Sequence, residues 1–153
     1  MANSAAFCTS AKEDLLNGIH AFGTTNTRAG TGADTFNIAL FLATGSLGAS
    51  TTAYSTTSEL AGTGNYTQGG KAVTNGTAPT TSGTTAYWTP SADVTWTALT
   101  SSGSFDCAEL YNATATGTPA VAIFTFSAQS VTAADFTLTM PTNDSSNALI
   151  RIA

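Results

Sequence analysis

The chain has 153 residues and a formal net charge of -5; 42% of its residues are hydrophobic and only 8% are charged. That length and hydrophobic content suffice for one domain with a core, and neither a linker nor an internal repeat indicates a second. The four cationic residues, Lys12, Arg28, Lys71 and Arg151, form no cluster. Because nucleic acids and anionic membranes are bound by clustered positive charge, the composition argues against both as direct partners.

The polar part of the composition consists of hydroxyl side chains. Threonine makes up about a fifth of the sequence, and serine and glycine are also abundant. Threonine fits half-exposed strand faces, and it loses less conformational entropy on ordering than lysine or arginine. Such a surface suits close packing against neighbouring subunits. Ordinary variation in a threonine-rich β-protein explains the same composition equally well.

The N-terminal region and the two cysteines bear on localisation. The first residues lack the basic and long apolar regions of a signal peptide, and no apolar run has the length of a membrane span, so we expect synthesis in the cytoplasm. Cys8 and Cys107 are far apart in the sequence, so we expect free thiols. Residues 1–9, MANSAAFCT, have Phe7 as their one large side chain. We interpret them as an N-terminal arm that docks on a partner, followed by one domain over residues 10–153.

The first predicted element is an amphipathic helix over about residues 10–22. Ser10 and Glu13 have the spacing of a capping box, apolar residues follow at helical spacing, and Gly23 marks the end. The single histidine, His20, is predicted near the C-terminal end of this helix, where it complements the helix dipole.

After a polar loop at residues 23–34, the sequence predicts a series of short strands with period-two alternation. The predicted strands are residues 35–42, 65–68, 85–88, 93–99, 105–112, 120–126, 135–140 and 149–152. Turn signals such as Asn75-Gly76 separate them. A parallel sheet needs helical crossovers and only one helix is predicted. The pattern therefore predicts a mainly β fold, an antiparallel β-sandwich or barrel with one short N-terminal helix.

The stretch ELAGTGNYTQGG, residues 59–70, raises the question of phosphate binding. A dinucleotide-binding loop must follow a strand and open a helix, and no helix is predicted here. A P-loop needs a lysine followed by serine or threonine at fixed spacing, and Lys71 does not meet that pattern. We interpret the glycines as turn residues with positive φ around the short strand at residues 65–68.

No residue pattern predicts catalysis, a metal or a cofactor. One histidine without thiolates or carboxylates at a recognisable spacing does not indicate a metal site, and the nucleophile motif G-x-S-x-G does not occur. Asp106 and Glu109 are the closest carboxylates on one predicted strand, but they have opposite parity and face opposite sides of the sheet. We expect scattered, solvated carboxylates and a protein that is not an enzyme.

Aromatic residues are the candidates for surface contacts. Tyr87 and Trp88 are adjacent, so in a strand one of the pair should be exposed. Trp96 alternates with threonines and is predicted to lie in the core. The rings could form a platform for carbohydrate, but a role in the core or in a subunit interface is favoured. The candidate interface residues are Phe7, Tyr87 and Trp88.

The order of several segments resembles a family of small virion proteins of tailed bacteriophages. The matching segments are LLNGIHAF (15–22), DTFNIAL (34–40), EL (59–60), GNYTQGG (64–70), DVTWT (93–97), AELYN (108–112) and AADFTLTM (133–140). The resemblance covers nearly the whole chain from about Leu15. It implies a non-enzymatic structural protein of the virion.

Within that family, the resemblance favours a capsid decoration, or cement, protein. Such a protein would bind the major capsid protein lattice and sister subunits as a homo-oligomer, after synthesis in the host cytoplasm. The alternative that stays open is a tail or fibre component that binds a receptor or carbohydrate.

Overall fold

The computed structural model describes residues 2–24 and 32–153, which form a mainly β structure with one short helix. All of its strand pairs are antiparallel, so the predicted fold class is confirmed. The elements are β1 (Ala6–Phe7), α1 (Thr9–Leu16), β2 (Phe36–Leu42), β3 (Lys71–Ala72), β4 (Thr80–Ser82), β5 (Thr85–Trp88), β6 (Val94–Leu99), β7 (Phe105–Asn112), β8 (Ala120–Gln129), β9 (Ala134–Leu138) and β10 (Ile150–Ile152).

A five-stranded sheet in the order β1-β8-β7-β2-β3 forms the centre of the fold. Its front face packs against a three-stranded sheet, β10-β5-β4, and against the pair β6-β9, in a sandwich-like arrangement. Ile38 and Leu40 of β2 share one hydrophobic cluster with Trp88 of β5 and Trp96 of β6. The large apolar side chains at alternate positions of β2 therefore lie on one face of the sheet, as the period-two pattern predicts, and line one layer of the core.

The reverse face of the five-stranded sheet is covered by α1 and by residues 43–58, which follow β2 and are called the 43–58 loop below. A second hydrophobic cluster lies here: Cys8, Ala11, Ala39, Phe41, Cys107, Tyr111, Ala120 and Ile123, with Leu47 and Tyr54 of the loop packed on it. Both faces of β2 and β7 are thus covered, because β7 and β2 lie inside the sheet and each face has its own layer.

Helix α1 is shorter than predicted, and Gly18 is the physical reason. Gly18 adopts φ +68°, its N–H donates to the Leu15 carbonyl at 3.2 Å, and the Ile19 N–H donates to the Asp14 carbonyl at 2.8 Å. These two bonds form a Schellman motif, which ends a helix with a left-handed glycine. The predicted helix over residues 10–22 is therefore wrong in its second half.

The predicted capping box is also wrong. The residue that precedes the helix is Cys8, which makes no side-chain capping bond. Ser10 lies inside the first turn, and its hydroxyl is buried without a hydrogen-bond partner in the described part of the chain. The helix is stabilised by burial of Ala11 against the reverse face of the sheet rather than by its cap.

The predicted N-terminal arm packs on the domain itself. Ala6 pairs with Ile123 and Phe7 pairs with Ala122 in an antiparallel bridge between β1 and β8. Farther along, the predicted strand at residues 65–68 is wrong, since that stretch forms turns. The two-residue strands β1 and β3 and the three-residue β4 were not predicted, and residues 25–31, with Arg28 and most of the predicted polar loop, lie outside the described residues.

The two cysteines are free and buried. Strand β8 separates Cys107 on β7 from Cys8, whose N–H bonds to Val121 of β8. Two strand spacings amount to about 9–10 Å, more than the distance that a disulfide spans between Cα atoms. Burial, with a smaller contribution from nearby carboxylates, raises the pKa of each thiol to about 12, so both are unreactive at neutral pH.

Candidate interaction surface and buried acidic site

An apolar groove of about 350 Å³ runs between the segment after α1 and the edge of the three-stranded sheet. Phe22 forms one wall, Tyr87 and Trp88 of β5 lie along the groove, and Ile150 and Ile152 of β10 form the other wall. Among the described residues no helix has the length and apolar character needed to cross a membrane. In this groove, aromatic and aliphatic side chains lie together at the surface.

One of the three exposed large hydrophobic side chains among the described residues lines this groove, and the other two are close to it in the sequence. Leu16 is 91% exposed, Ile152 is 49% exposed and Ile19 is 36% exposed. Ile152 lines the groove, and Leu16 and Ile19 lie in the short stretch between two other lining residues, Leu15 and His20. Single exposed apolar residues are ordinary on protein surfaces. A contiguous apolar surface, such as the lining of this groove, marks a contact for another molecule.

A second cleft lies on the opposite side of β10, between that strand and the β1 edge of the five-stranded sheet. It has a volume of about 350 Å³, and Phe7, Phe124 and Ile150 are among its lining residues. Ile150 lines both clefts. The structure thus brings Phe7, a predicted interface residue, to one side of β10 and Tyr87 to the other.

Trp88 is a core residue and not an exposed contact. It is 2% exposed, its Nε1 donates to the Thr77 carbonyl at 2.9 Å, and its ring lies 4.8 Å from Phe22 and 5.9 Å from Phe36. Tyr87 is half-buried. Because both faces of this short strand are covered, the expectation that one of the pair is exposed holds only in part. Trp96 is 1% exposed, as predicted.

The glycine-rich stretch at residues 59–70 is built for close packing of backbone. A Cβ on Gly70 would lie 2.0 Å from the Ile38 carbonyl oxygen, and one on Gly64 would lie 2.2 Å from Thr100 Cβ. Both glycines have positive φ, which glycine adopts without steric cost. The loop leads into β3 and not into a helix, unlike a dinucleotide-binding loop, and these two glycines allow close approach of the backbone to Ile38 and Thr100.

Glu59 anchors this stretch from below as a buried hydrogen-bond acceptor. The side chain is 4% exposed. Its Oε1 accepts from the Tyr66 hydroxyl at 2.8 Å and from the Gly69 N–H at 2.7 Å, and its Oε2 accepts from the Tyr54 hydroxyl at 2.5 Å. A carboxylate with three donors is well satisfied, so Glu59 holds both ends of the loop on the sheet.

Glu109 is the second buried carboxyl group, and its environment is different. It is 1% exposed, and its Oε1 has no hydrogen-bond partner among the described residues. Burial raises the pKa of this carboxyl to about 8, and the neighbouring Glu59 carboxylate adds to the shift. The expectation of solvated carboxylates is therefore wrong for Glu59 and Glu109, and also for Asp34, which is 5% exposed. Asp106 accepts a hydrogen bond from Asn3 Nδ2 at 2.7 Å, at a register shift of β7. The predicted opposite orientation of Asp106 and Glu109 stays a prediction.

Glu109 lines a cavity of about 180 Å³ beneath the 43–58 loop. The remaining lining residues are Phe41, Ser46, Leu47, Thr51, Ala53, Ser55, Thr57 and Ser58. Five of these nine residues carry hydroxyl groups, and none is cationic. The cavity can therefore offer a carboxyl oxygen and several hydroxyl oxygens to a small molecule or ion.

His20 lies beyond the end of α1 and not on it, so its predicted position is wrong. It is 8% exposed, and its Nδ1 lies 3.2 Å from Asn112 Nδ2. Asn112 also donates to Asp34 at 2.8 Å, and Asp34 accepts from the Ala21 N–H at 2.7 Å. This cluster ties the segment after the helix to the end of β7.

The described residues include no group of three or more His, Cys, Asp or Glu side chains placed to hold a metal ion. Sequence reasoning missed Glu59 and Glu109. The available signal was their position beside apolar or aromatic residues in segments that pass through the core.

No family model matches the chain, and neither a curated protein nor a solved structure is significantly similar to it.

Proposed function

We propose that this protein is a structural protein without catalytic activity that works by binding other protein subunits through the apolar groove. The observation that supports this proposal is a groove lined by apolar and aromatic side chains, among them Phe22, Tyr87 and Ile152, which is 49% exposed. In line with the sequence resemblance, the proposed setting is the virion of a tailed bacteriophage. There the protein acts as a capsid decoration protein, and the groove receives an apolar segment of the major capsid protein.

The chemistry of the groove supports a protein partner. Burial of exposed aliphatic side chains is favourable in proportion to the apolar area removed from water, at about 25 cal/mol per Å². The side chains on its walls are apolar or aromatic apart from His20, so docking desolvates little charge. Tyr87 offers a half-buried ring of the type that dominates binding energy at interfaces.

The carbohydrate alternative receives less support from the structure. A sugar platform needs aromatic faces exposed to solvent, and Trp88 is packed in the core. Tyr87 is the member of the pair that reaches the groove. Glycan titration followed by tryptophan fluorescence tests this alternative directly.

The groove proposal is tested by sedimentation with capsids that lack this protein. The variant Tyr87→Thr/Ile152→Gln replaces two side chains that line the groove, and threonine keeps strand propensity at position 87. We expect wild-type protein to pellet with capsids and the variant to bind at least about tenfold more weakly. The matched control is Thr97→Gln, an exposed position on β6 in a different sheet.

Binding of the double variant with wild-type affinity would show that the groove is not the capsid contact. A wild-type oligomer in light scattering that the variant fails to form would assign the groove to sister subunits. Wild-type protein that binds tails or fibres, and not capsids, would favour the alternative location.

A further inference from the structure

We infer that the cavity beneath the 43–58 loop binds a hard, oxygen-preferring metal cation, Na⁺ or Ca²⁺, with Glu109 as its charged ligand. This site lies on the reverse face of the five-stranded sheet and is independent of the apolar groove. The inference starts from the charge balance of two buried carboxyl groups.

The described cationic side chains do not neutralise these carboxyl groups. Lys71 Nζ donates to the Thr95 carbonyl, Arg151 donates to the Ser145 carbonyl, and Lys12 is exposed on α1. Glu59 and Glu109 are 4% and 1% exposed. A buried carboxylate without a compensating charge is strongly unfavourable. The pair therefore needs either a proton or a bound cation.

Hydrogen bonding separates the two carboxyl groups. Glu59 accepts three hydrogen bonds from Tyr54, Tyr66 and Gly69, which compensate its burial. Glu109 Oε1 receives none from the described residues. Glu109 is thus the group that retains an open position for a ligand, and it is the one that lines the cavity.

The cavity supplies the other ligands that a hard cation needs. Five hydroxyl-bearing residues line it together with Glu109: Ser46, Thr51, Ser55, Thr57 and Ser58. Carboxylate, hydroxyl, carbonyl and water oxygens suit Na⁺, Ca²⁺ and Mg²⁺, whereas softer metals take nitrogen or sulfur ligands. The lining side chains include neither. An anion would meet a carboxyl group and no positive side chain.

The sheet provides the space for such an ion. Ala39 of β2 stands opposite Glu109 of β7 in the strand register, so a methyl group faces the carboxyl side chain where a larger residue would fill the site. A cavity of about 180 Å³ has room for an ion and several waters, because a water in the liquid occupies about 30 Å³.

The test is the melting temperature of metal-free protein at one fixed pH as a function of added cation. The protein is treated with EDTA and exchanged into choline chloride, and NaCl, CaCl₂ and MgCl₂ are then titrated separately at constant ionic strength. Unfolding is followed by tryptophan fluorescence, since Trp88 and Trp96 are buried. We expect a saturable rise of about 5–10 °C with NaCl or CaCl₂ at a hundredfold excess over the dissociation constant.

Two variants, Glu109→Gln and Thr57→Val, test whether the ion lies in this cavity, and Glu13→Gln is the control. We expect Glu109→Gln, which keeps the shape of the side chain, to lose the cation response. Glu13→Gln makes the same charge change at an exposed position of α1 and should keep it. Thr57→Val removes one exposed lining hydroxyl without touching the carboxyl group, and it should weaken the response even if Glu109→Gln does not fold.

The proposal is overturned if neither NaCl nor CaCl₂ raises the melting temperature of the wild-type protein, which would leave a proton as the compensating charge. It is equally overturned if Glu109→Gln and Thr57→Val respond to the cation as the wild-type protein does. Calorimetric titration of the wild-type protein with the active cation gives the stoichiometry, for which we expect one ion per chain.

Discussion

The two faces of the five-stranded sheet are covered in different ways. The front face packs against two other sheets, whose aromatic side chains Trp88 and Trp96 meet the aliphatic side chains of β2. The reverse face lies under α1 and the irregular 43–58 loop, and it contains Glu109 and Tyr111 beside Phe41. Regular strands satisfy their own backbone groups, so a sheet can cover another with apolar side chains alone.

A covering segment without regular secondary structure places unpaired backbone N–H and C=O groups against the sheet. Leu40 N–H donates to the Tyr66 hydroxyl at 2.9 Å, the Tyr111 hydroxyl donates to the Gly69 carbonyl at 2.8 Å, and Glu59 binds the Gly69 N–H. Buried backbone groups must find partners. Irregular segments are therefore accompanied by tyrosines in both layers of the core: Tyr66 joins the front cluster, and Tyr54 and Tyr111 join the reverse cluster, beside the candidate ion site.

The largest expected effect comes from the tightest backbone contact of the loop cover. Gly70→Ala places a Cβ 2.0 Å from the Ile38 carbonyl oxygen at a position with φ +67°. We expect a loss of about 4 kcal/mol in the free energy of unfolding, or no folded protein, because both strain and overlap oppose it. Urea unfolding followed by fluorescence measures the loss.

Gly83→Ala is the matched control for that change. Gly83 also has positive φ, at +59°, but a Cβ there meets nothing within 4 Å. We expect it to cost about 1–2 kcal/mol, the strain term alone. Equal losses at the two positions would show that the close approach of Gly70 to β2 contributes nothing.

On the front face the expected effect is a cavity effect. Leu110 of β7 is fully buried in the front cluster, so Leu110→Ala should lower the free energy of unfolding by about 3 kcal/mol. Chemical denaturation at two pH values measures this loss, which should be the same at both. A loss that changes with pH would mean that the titrating groups of the reverse face influence the stability contributed by the front face.

The next effect concerns the hydrogen bonds that Glu59 makes with the stretch at residues 59–70. Glu59→Gln keeps the volume of the side chain but replaces one acceptor oxygen by an NH₂ group, which faces donors from Tyr54, Tyr66 or Gly69. We expect a loss of about 2 kcal/mol, since at least one buried donor is left without an acceptor. The exposed Glu13→Gln should change stability by less than about 0.5 kcal/mol. A loss at Glu59 no larger than that would refute the anchoring role.

These contrasts explain what the sequence could predict. The front face follows period two in β2, and this is why the mainly β fold and the burial of Trp96 could be derived from local pattern. The polar groups of the reverse face could not be derived in this way. Strand β7 is covered on both faces, so alternation gives no sign of which face holds Glu109, and the partners of Glu59 lie up to ten residues away in a loop without periodicity. Strands of two residues, such as β1 and β3, are too short to show any period.

The candidate interface shows the same limit. The exposed hydrophobic residues Leu16 and Ile19 fall within the helix predicted over residues 10–22. Because the helix ends before Gly18, the chain after Leu16 takes a direction that the prediction did not give. A helix stop made by one left-handed glycine is a local signal, but its consequence, the groove formed with β5 and β10, depends on strands far away in the sequence.

The last expected effect is a slope, at most about 1.4 kcal/mol per pH unit, in the pH dependence of stability that the reverse face causes in metal-free buffer. The pKa of Glu109 is raised from 4.5 to about 8 in the folded protein, so the folded state binds this proton more tightly than the unfolded state. Its contribution to stability is fully present below about pH 4.5 and is lost as the pH rises through 8.

Glu109→Gln carries no such proton, and its free energy of unfolding should therefore decline less between pH 5 and pH 8 than that of the wild-type protein. Leu110→Ala, on the front face, should keep the wild-type slope. Equal slopes for wild type and Glu109→Gln in denaturant titrations across this range would mean that Glu109 does not titrate there, and the difference between the two faces would then rest on hydrogen bonding alone.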